Sequence, residues 1–340
     1  MVPRIYLILV SLLIFQVLLL LVAGMKGFHK YFLLNELNLL ERYGAGSWVV
    51  ITGASSGQGY ELALAFAERG FNLLLIGSKR TADTISELAT LYPAIKTKVI
   101  YKDFRQAFQD DFFQDIEAEF QVLGEDLAIL INNVGHRVGW NPYHEMKAAY
   151  IRDVIATGTI VQSRLTHMVI PNFLKRAGTS TGSERKSALI NITAQCMHPN
   201  FLFGVTLSNE ISVPYLSVYE AANAFGFYQA NSIYKEYQGQ FDILNITPGA
   251  VITKNTECLT GTMFHVSSST FVKQILKMIG QVQGETCAYW GHALSTYMIN
   301  IMPLLKEGML KKVGQTIAAD FMGKVAAAEG MDDKYLVGTP

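Results

Sequence analysis

Residues 48–70 read WVVITGASSGQGYELALAFAERG and decide the fold. An apolar run at Trp48–Ile51 leads into a glycine-rich turn at Thr52–Gly59, and a stretch with helical spacing follows to about residue 69. This order predicts a strand, a tight turn and a helix N-terminus. The first N–H groups of such a helix have no partner within it and are free to bind phosphate. The stretch therefore predicts a nucleotide-binding α/β domain.

Each glycine of this turn has its own expected role. Gly53 permits the turn itself, Gly57 lets the backbone approach a pyrophosphate, and Gly59 lets the helix pack closely on the strand. Thr52, Ser55 and Ser56 belong to the same turn and are predicted to be cofactor-binding residues.

The rest of the chain alternates short apolar runs with longer helical stretches. Further strands are predicted at Asn72–Ile76, Lys98–Tyr101, Ala128–Ile131, Ala188–Ile192 and Asp242–Ile246, and helices at about 58–69, 81–92, 106–121, 145–176 and 215–238. Near-continuous apolar strands separated by helices predict a parallel sheet that is covered on both faces. The predicted fold class is α/β, with a doubly wound, Rossmann-type sheet.

The end of the second strand indicates which dinucleotide is bound. NAD sites usually place an acid near this point, on the ribose 2′-hydroxyl. Here the sequence Ile76–Arg80 contains no acid and two bases, Lys79 and Arg80. It favours a 2′-phosphate, and hence NADP(H) over NAD(H); a plain solvated loop is the alternative.

Composition excludes several classes of protein. Lysine plus arginine and aspartate plus glutamate both number 28, so a zero net charge argues against a nucleic-acid partner. The cysteines, Cys196, Cys258 and Cys287, form no metal-ligand spacing, so no metal site is expected. Apolar residues make up 50% of the chain and charged residues only 16%, which suggests a membrane.

The amino terminus predicts where the chain meets that membrane. Ile5–Ala23 contains no charged residue and is long enough, at ~1.5 Å per residue, to span the hydrocarbon core; a cleaved signal peptide is the alternative. Slightly more positive charge follows this stretch than precedes it, which places the globular part on the cytosolic side.

We therefore divide the chain into four parts. They are a membrane anchor at 1–27, an amphipathic linker at 28–46, a Rossmann-type domain at 47–290 and a helical, membrane-facing extension at 291–340. Residues 28–42 are expected to form a short helix, either at the membrane interface or packed on the domain. The extension is expected to lie against the membrane or to pack as an ordinary terminal helix.

Several motifs share a pattern with a known family. TGxxxGxG at Thr52–Gly59 is joined by Asp103, by NNVG at Asn132–Gly135 and by PGAVIT at Pro248–Thr253. This set resembles the short-chain dehydrogenase/reductase superfamily. Tyr43-Gly44, Val213-Pro214 and GHAL at Gly291–Leu294 further resemble its membrane-anchored 17β-hydroxysteroid dehydrogenase / very-long-chain 3-oxoacyl-CoA reductase branch, from about residue 43 to about 325.

The resemblance implies a role for each of these motifs. Gly53, Ser55, Gly57 and Gly59 line the phosphates, and Asp103 faces the adenine, with a strand-end cap as its alternative. Asn132, Asn133, Val134 and Gly135 back the cofactor. The segment with Pro248, Gly249, Val251 and Thr253 closes over the nicotinamide end.

The same resemblance implies a degenerate catalytic site. The family uses a tyrosine proton donor, a lysine one helical turn along, a serine on the carbonyl oxygen and an asparagine. Tyr219 stands at the tyrosine position, whereas Asn223, Ala194 and Gly158 stand at the lysine, serine and asparagine positions. The losses are large, since an oxyanion donor is worth ~10²–10³ and general acid–base catalysis ~10²–10⁴ in rate. A long insertion at 195–213 offers other donors, namely Gln195, His198, Ser208 and Ser212, with Ser217 just beyond it.

Two functional hypotheses follow. The first is an NADPH-dependent reductase at a membrane, acting on a long acyl or sterol-like ketone in lipid metabolism. The second is a pseudoenzyme that binds nucleotide as a subunit or scaffold of a membrane complex. The endoplasmic reticulum is implied by the resemblance alone, and a mitochondrial membrane remains open.

Overall fold

The fold is described by a computed structural model. It describes residues 2–136, 138–139, 141–178, 185–194, 200–202, 205–207, 213–253 and 264–301, together with 308, 311–312 and 315–316. Predictions made for the intervening residues lie outside the described residues. These residues include most of the insertion at 195–213.

A parallel sheet of seven strands forms the centre of the domain. Its strands are β1 (Trp48–Thr52), β2 (Asn72–Gly77), β3 (Thr97–Tyr101), β4 (Leu127–Asn132), β5 (Ala188–Ile192), β8 (Asp242–Ile246) and β11 (Gly284–Thr286). They lie in the order β3-β2-β1-β4-β5-β8-β11, and every neighbouring pair is parallel. This confirms the doubly wound sheet, with the reversal of strand order at β1 and β4.

Two small pairs of strands and ten α-helices complete the described structure. The pairs are β6 (Asn200–Leu202) with β7 (Val205–Leu207), and β9 (Val251–Ile252) with β10 (Val266–Ser267). The helices are α1 (Val2–Phe28), α2 (Leu39–Tyr43), α3 (Gly57–Glu68), α4 (Thr81–Leu91), α5 (Gln114–Leu123), α6 (Ala148–Ile155), α7 (Val161–Gly178), α8 (Ser217–Glu236), α9 (Ser268–Met278) and α10 (Trp290–Ile301).

The core has two halves, one on each face of the sheet. Successive side chains of a strand point to opposite faces, so Val49 and Ile51 pack in one cluster and Trp48 and Val50 in the other. All four are buried. This double burial explains why the central strands are apolar throughout, without the alternation of a half-exposed strand.

The helix predicted at 145–176 is interrupted. Residues Ala156–Ile160 form a π-helical turn between α6 and α7. The Thr157 hydroxyl donates to the carbonyl of Asp153 and the Thr159 hydroxyl to that of Ile155. Such side-chain bonds compete with the regular ladder of the helix. Gly158 lies inside this turn, facing α8.

The prediction of a single helix over residues 28–42 is wrong. A π-helical turn at His29–Leu33 ends the first helix, residues 34–38 are extended, and only Leu39–Tyr43 is helical. The Asn38 side chain accepts from the N–H of Glu41 and so caps the start of α2. Leu39 and Tyr43 are buried, so α2 packs on the domain.

One helix among the described residues is long and apolar enough to cross a membrane. It is the stretch Val10–Leu33, and none of its most apolar window is buried in the domain. A helix of this length spans the hydrocarbon core of a bilayer.

A buried carboxylate joins α2 to the amino end of the sheet. Asp242 accepts hydrogen bonds from Arg42 at 2.7 and 2.9 Å, from the Tyr43 hydroxyl at 2.7 Å and from the Gln283 amide at 2.6 Å. Its side chain is only 10% exposed. The pair with Asp242 raises the pKa of the Arg42 guanidinium above its usual range, so this charge is permanent.

The change Asp242→Asn should destabilise the domain by about 2 kcal/mol, because it leaves the half-buried Arg42 guanidinium without its counter-charge. Thermal unfolding of the detergent-solubilised chain measures this loss. Glu119→Gln, which breaks the exposed pair with Lys98, is the control and should cost about 0.5 kcal/mol or less. Equal effects of the two changes would contradict a structural role for the Asp242 network.

Candidate active site

The glycine turn between β1 and α3 has the geometry that its sequence predicts. Gly53 and Gly57 have φ of +72° and +58°, a region that favours glycine. A Cβ at Gly59 would lie 2.4 Å from the carbonyl oxygen of Gly53 and 2.5 Å from the Asn133 amide. Helix α3 therefore touches the turn so closely that only glycine fits at 59. Ser55 is half-buried and Ser56 is exposed, immediately before the helix.

The loop after β4 is locked onto this turn. The Thr52 hydroxyl accepts from the backbone N–H groups of Asn133 and Val134 at 2.9 and 3.0 Å. The Asn133 amide donates to the carbonyl of Thr52 at 2.8 Å. The two loops at the reversal of strand order thus form one rigid unit, and Gly135 follows at the edge of the adjoining pocket.

A ladder of asparagines crosses the carboxyl ends of three strands. The Asn132 amide donates to Asn191 at 2.8 Å, Asn191 donates to Asn245 at 3.0 Å, and Asn245 donates to Asn231 at 3.4 Å. Asn132 also donates to Thr166 at 3.0 Å. Asn132, Asn191 and Asn245 are in register and buried, and their amides bond in one direction along the ladder, so that the Asn132 Oδ1 at its start is buried with no hydrogen-bond partner among the described residues. The side chain of Asn132 is thus structural, one layer below the pocket.

The segment after β8 lies beside the glycine turn, and its predicted place over the nicotinamide end stays a prediction. Pro248 is buried, Gly249 is half-buried, and Val251 pairs with Val266 of β10. A Cβ at Gly57 would lie 3.1 Å from Cγ2 of Thr253. The His292 ring lies 3.3 Å from the carbonyl of Ala250 and so connects the segment to α10. The glycine turn and the segment after β8, which are the two ends of the predicted cofactor site, are therefore in contact.

The two cations after β2 are available to a ligand. Lys79 and Arg80 are exposed at the carboxyl end of the strand, and no ion pair joins either of them to another described residue. Arg80 directly precedes α4.

Asp103 follows β3 and caps the start of the short 3-10 helix Phe104–Gln106. Its carboxylate accepts from the Arg105 backbone and is paired with the Arg105 guanidinium at 2.6 Å. The hydrogen bonds from Arg105 hold the pKa of this carboxyl below its usual value. This is the capping role that the sequence left open beside a contact with adenine, and the latter stays a prediction.

A pocket of about 140 Å³ lies between the locked loops, the π-helical turn and α8. Its lining is Gln58, Asn133, Val134, Gly135, His136, Val154, Gly158, Gln162, Ile192, Thr193, Tyr219, Ala222 and Asn223. Pockets for a whole small molecule have ~300–1,000 Å³, so this one takes one end of a ligand. None of these lining residues is a lysine, arginine, aspartate or glutamate.

Three of the four predicted catalytic positions line this pocket. Tyr219 and Asn223 lie one turn apart on α8, and Gly158 faces them from the π-helical turn. The Asn223 amide donates back to the carbonyl of Tyr219 at 2.9 Å. A Cβ at Gly158 would lie 3.1 Å from that of Ala222, so the two elements are in close contact. Ala194 is half-buried just beyond the pocket residue Thr193.

Sequence reasoning missed several pocket residues. Gln58 lies between two glycines of the turn, and its Oε1 is buried with no hydrogen-bond partner among the described residues. His136 directly follows NNVG, and Gln162 lies one turn beyond Gly158. The only sequence signal for these pocket residues was their position next to the predicted motifs. Of the suggested substitute donors, Ser217 is exposed at the start of α8; Gln195, His198, Ser208 and Ser212 lie outside the described residues.

Glu220 holds the start of α8 in place beside Tyr219. It accepts the backbone N–H of Val213 at 2.8 Å and is buried. Burial raises the pKa of its carboxyl to about 7. Because it does not line the pocket, it supports the position of the helix rather than the chemistry.

Comparison with known proteins agrees with this geometry. The family model of the short chain dehydrogenase matches residues 47–196. The very-long-chain 3-oxoacyl-CoA reductase of Aspergillus terreus is 28% identical over 273 residues, 75% of this chain and 68% of that protein. The reductase of the same name from Anas platyrhynchos is 26% identical, over 83% of this chain and 84% of that protein. The hydroxysteroid dehydrogenase-like protein 1 of Gallus gallus is 26% identical over 77% of this chain and 73% of that protein.

Solved structures share the fold. A short-chain dehydrogenase from Sphingobium yanoikuyae in complex with NADPH superposes with a TM-score of 0.57 at 21% identity, over 76% of this chain and 95% of that chain. The 3-ketoacyl-(acyl-carrier-protein) reductase of Brucella melitensis, complexed with NADH, gives 0.56 at 15% identity, over 71% and 95%. The family model and the curated relatives together support a short-chain dehydrogenase/reductase that is similar to the very-long-chain 3-oxoacyl-CoA reductases.

Proposed function

We propose that this chain is a membrane-associated, NADP(H)-binding reductase of a long-chain or sterol-like ketone, with Tyr219 as its proton donor and a low turnover. The observation that carries the proposal is the shared pocket. The tyrosine, the loop after β4 and the glycine turn all meet there, at the carboxyl edge of the sheet.

The described residues fit a nicotinamide dinucleotide. The helix begins so close to the turn around Gly57 and Gly59 that a Cβ at position 59 would overlap the carbonyl of Gly53. The N-terminus of α3 directs unpaired N–H groups toward this turn, as phosphate sites do. The buried, unpartnered Oε1 of Gln58 at the pocket wall is an acceptor for a ligand N–H or hydroxyl. Lys79 and Arg80 supply charge for a 2′-phosphate.

The residues of the chain supply the proton side of the reaction. When bound, the reduced cofactor supplies the hydride. Tyr219 donates its proton to the ketone oxygen. None of the described lining residues is a lysine or arginine that would stabilise the tyrosinate left behind, so the step is slow. Thr193 and His136 are the remaining hydroxyl and imidazole groups at the wall.

A second candidate function, a nucleotide-binding pseudoenzyme, is favoured by the state of Asn223. Its amide is bonded to the backbone of its own helix, as a structural asparagine is. Ala194 offers no hydroxyl and Gly158 no side chain. A chain with this pocket is suited to act as a cofactor-stabilised subunit of a membrane complex.

Membrane association is part of the proposal. The apolar helix at Val10–Leu33 supports it by its length and composition. The reductases that resemble this chain are named for very long acyl chains, and a lipid-like substrate suits an enzyme at a membrane. The endoplasmic reticulum is the compartment we propose from the resemblance.

The change Gly59→Ala should weaken nucleotide binding by about 10–100-fold, because the methyl group forces the turn and the helix apart at a cost of about 1–3 kcal/mol. NADPH fluorescence on titration of the solubilised chain measures the affinity. Gly178→Ala is the control, since a Cβ there meets no atom within 4 Å. Unchanged affinity in Gly59→Ala would place the dinucleotide elsewhere.

The changes Lys79→Ala and Arg80→Ala should each weaken NADPH binding about tenfold and leave NADH binding unchanged, because only NADPH carries the 2′-phosphate. The ratio of the two dissociation constants is the readout. Lys96→Ala, an exposed lysine at the amino end of β3, should leave that ratio unchanged. A wild-type preference for NADH would contradict the assignment.

The double change Ala194→Ser and Asn223→Lys should raise NADPH consumption with a long-chain 3-oxoacyl-CoA by about 10²-fold, because it returns an oxyanion donor and a cation to the pocket. Tyr219→Phe should abolish turnover in both backgrounds. Full rate in Tyr219→Phe would contradict the role of the tyrosine. NADPH binding without turnover in both backgrounds would favour the pseudoenzyme.

A further inference from the structure

Helix α10 has its polar side inside and its apolar side outside. His292 and Thr296, one turn apart, are 1% and 7% exposed and face the domain. Leu294 and Met298, also one turn apart, are 38% and 45% exposed. With Trp290 they form a stripe at a spacing of four residues, which we call the outer stripe. Helices at a water-facing surface show the opposite arrangement.

The polar inner side of α10 needs no water. The hydroxyls of Ser295 and Thr296 both donate to the carbonyl of His292, at 2.8 and 3.0 Å. Burial lowers the pKa of His292 to about 4, so the ring is neutral at physiological pH. It packs between the rings of Tyr289 and Phe271. The helix thus resembles one built for an apolar surrounding.

The outer stripe is continuous with the apolar N-terminal helix. The ring of Phe32 lies 6.3 Å from that of Trp290 and 5.3 Å from that of Phe28. Phe28 and Phe32 are exposed, at 58% and 53%. Aromatic side chains of this kind are enriched where a bilayer meets water.

This junction lies at the carboxyl edge of the sheet. Trp290 follows β11 by four residues, and the pocket residues follow β1, β4 and β5 at the same edge. From Phe32 the chain runs back along the domain to the amino edge, where Arg42 meets Asp242. The apolar helix, the outer stripe and the pocket therefore share one side of the molecule.

We infer that the outer stripe of α10 is a second membrane contact, which lies in the bilayer interface and turns the pocket edge of the domain toward the lipid. The inference rests on the membrane association proposed above. The lipid bilayer is the occupant because the stripe continues the surface of a helix that is long enough to span it. Lys26 and His29 are exposed near the end of that helix, where headgroups lie. A ketone on a long acyl chain then reaches the pocket from the membrane side.

The test places a nitroxide label at Leu294→Cys and at Met298→Cys in the full chain, with Cys196→Ser and Cys258→Ser, while Cys287 is buried. The protein is reconstituted in phosphatidylcholine/phosphatidylserine vesicles, and collision with oxygen is compared with collision with a water-soluble nickel complex. Both labels should lie about 5–10 Å below the headgroups. Val122→Cys is the matched control, because Val122 is a 73% exposed apolar residue near the amino edge and should report water.

Flotation of the same samples separates the two levels of the proposal. A chain that does not float with the vesicles overturns both membrane association and this contact. A chain that floats while labels 294 and 298 report water overturns the contact alone. Labels shielded from both reagents mean that α10 binds a second copy of the chain, which also overturns it.

An unlabelled measurement guards against perturbation by the nitroxide. In a Trp140→Phe background, brominated lipid should quench the fluorescence of the reconstituted chain, and the further change Trp290→Phe should remove that quenched component, since the remaining Trp48 is buried in the core. A quenched component that persists in Trp290→Phe counts against the contact. NADPH binding by each variant confirms that the domain is folded.

Discussion

The contact between Gly59 and the carbonyl of Gly53 is the constraint on which the site depends. A side chain at 59 would overlap atoms of both the turn and the loop after β4, at 2.4 and 2.5 Å. Three elements therefore meet at one point, where the Asn133 side-chain amide packs between the turn and the start of α3. Thr52 and Asn133 then fix the loops to each other by hydrogen bonds. The glycine turn and the loop after β4 therefore form one rigid unit, which we call the cradle. Its shape does not depend on the predicted catalytic residues.

That independence explains how the nucleotide half and the catalytic half can diverge. The cradle is held by backbone contacts and by the asparagine ladder beneath it, which joins β4, β5 and β8. Asn223 and Gly158 lie on α8 and on the π-helical turn, outside these networks. Changes there alter the charge of the pocket without cost to the cradle. The pocket wall is accordingly neutral and rich in amides while the phosphate turn is intact.

The sequence predicted what depends on local pattern. All six predicted strands are present within one residue at each end, because each is an apolar run between turn residues. Strand β11 escaped prediction, since Gly284–Thr286 is only three residues long and half polar. The break in the helix at 156–160 comes from threonine hydroxyls and from the approach of Ala222, which no periodicity records. Gln58 and His136 became pocket residues only through contacts between distant elements.

Two side chains connect the segment after β8 to the stretch of chain around Trp290. Thr247, at the start of this segment, lies 3.5 Å from the carboxyl of Glu285, whose pKa burial raises to about 7. His292 supports Ala250 from α10. Glu285 and His292 therefore belong to the same short stretch of chain that carries Trp290 against Phe32. Under the proposed membrane contact, Glu285 and His292 link α10 and β11 to the segment after β8. A lipid substrate and the cofactor would then meet at the carboxyl edge of the sheet, where β11 leads into α10 and Tyr219 of α8 lines the pocket.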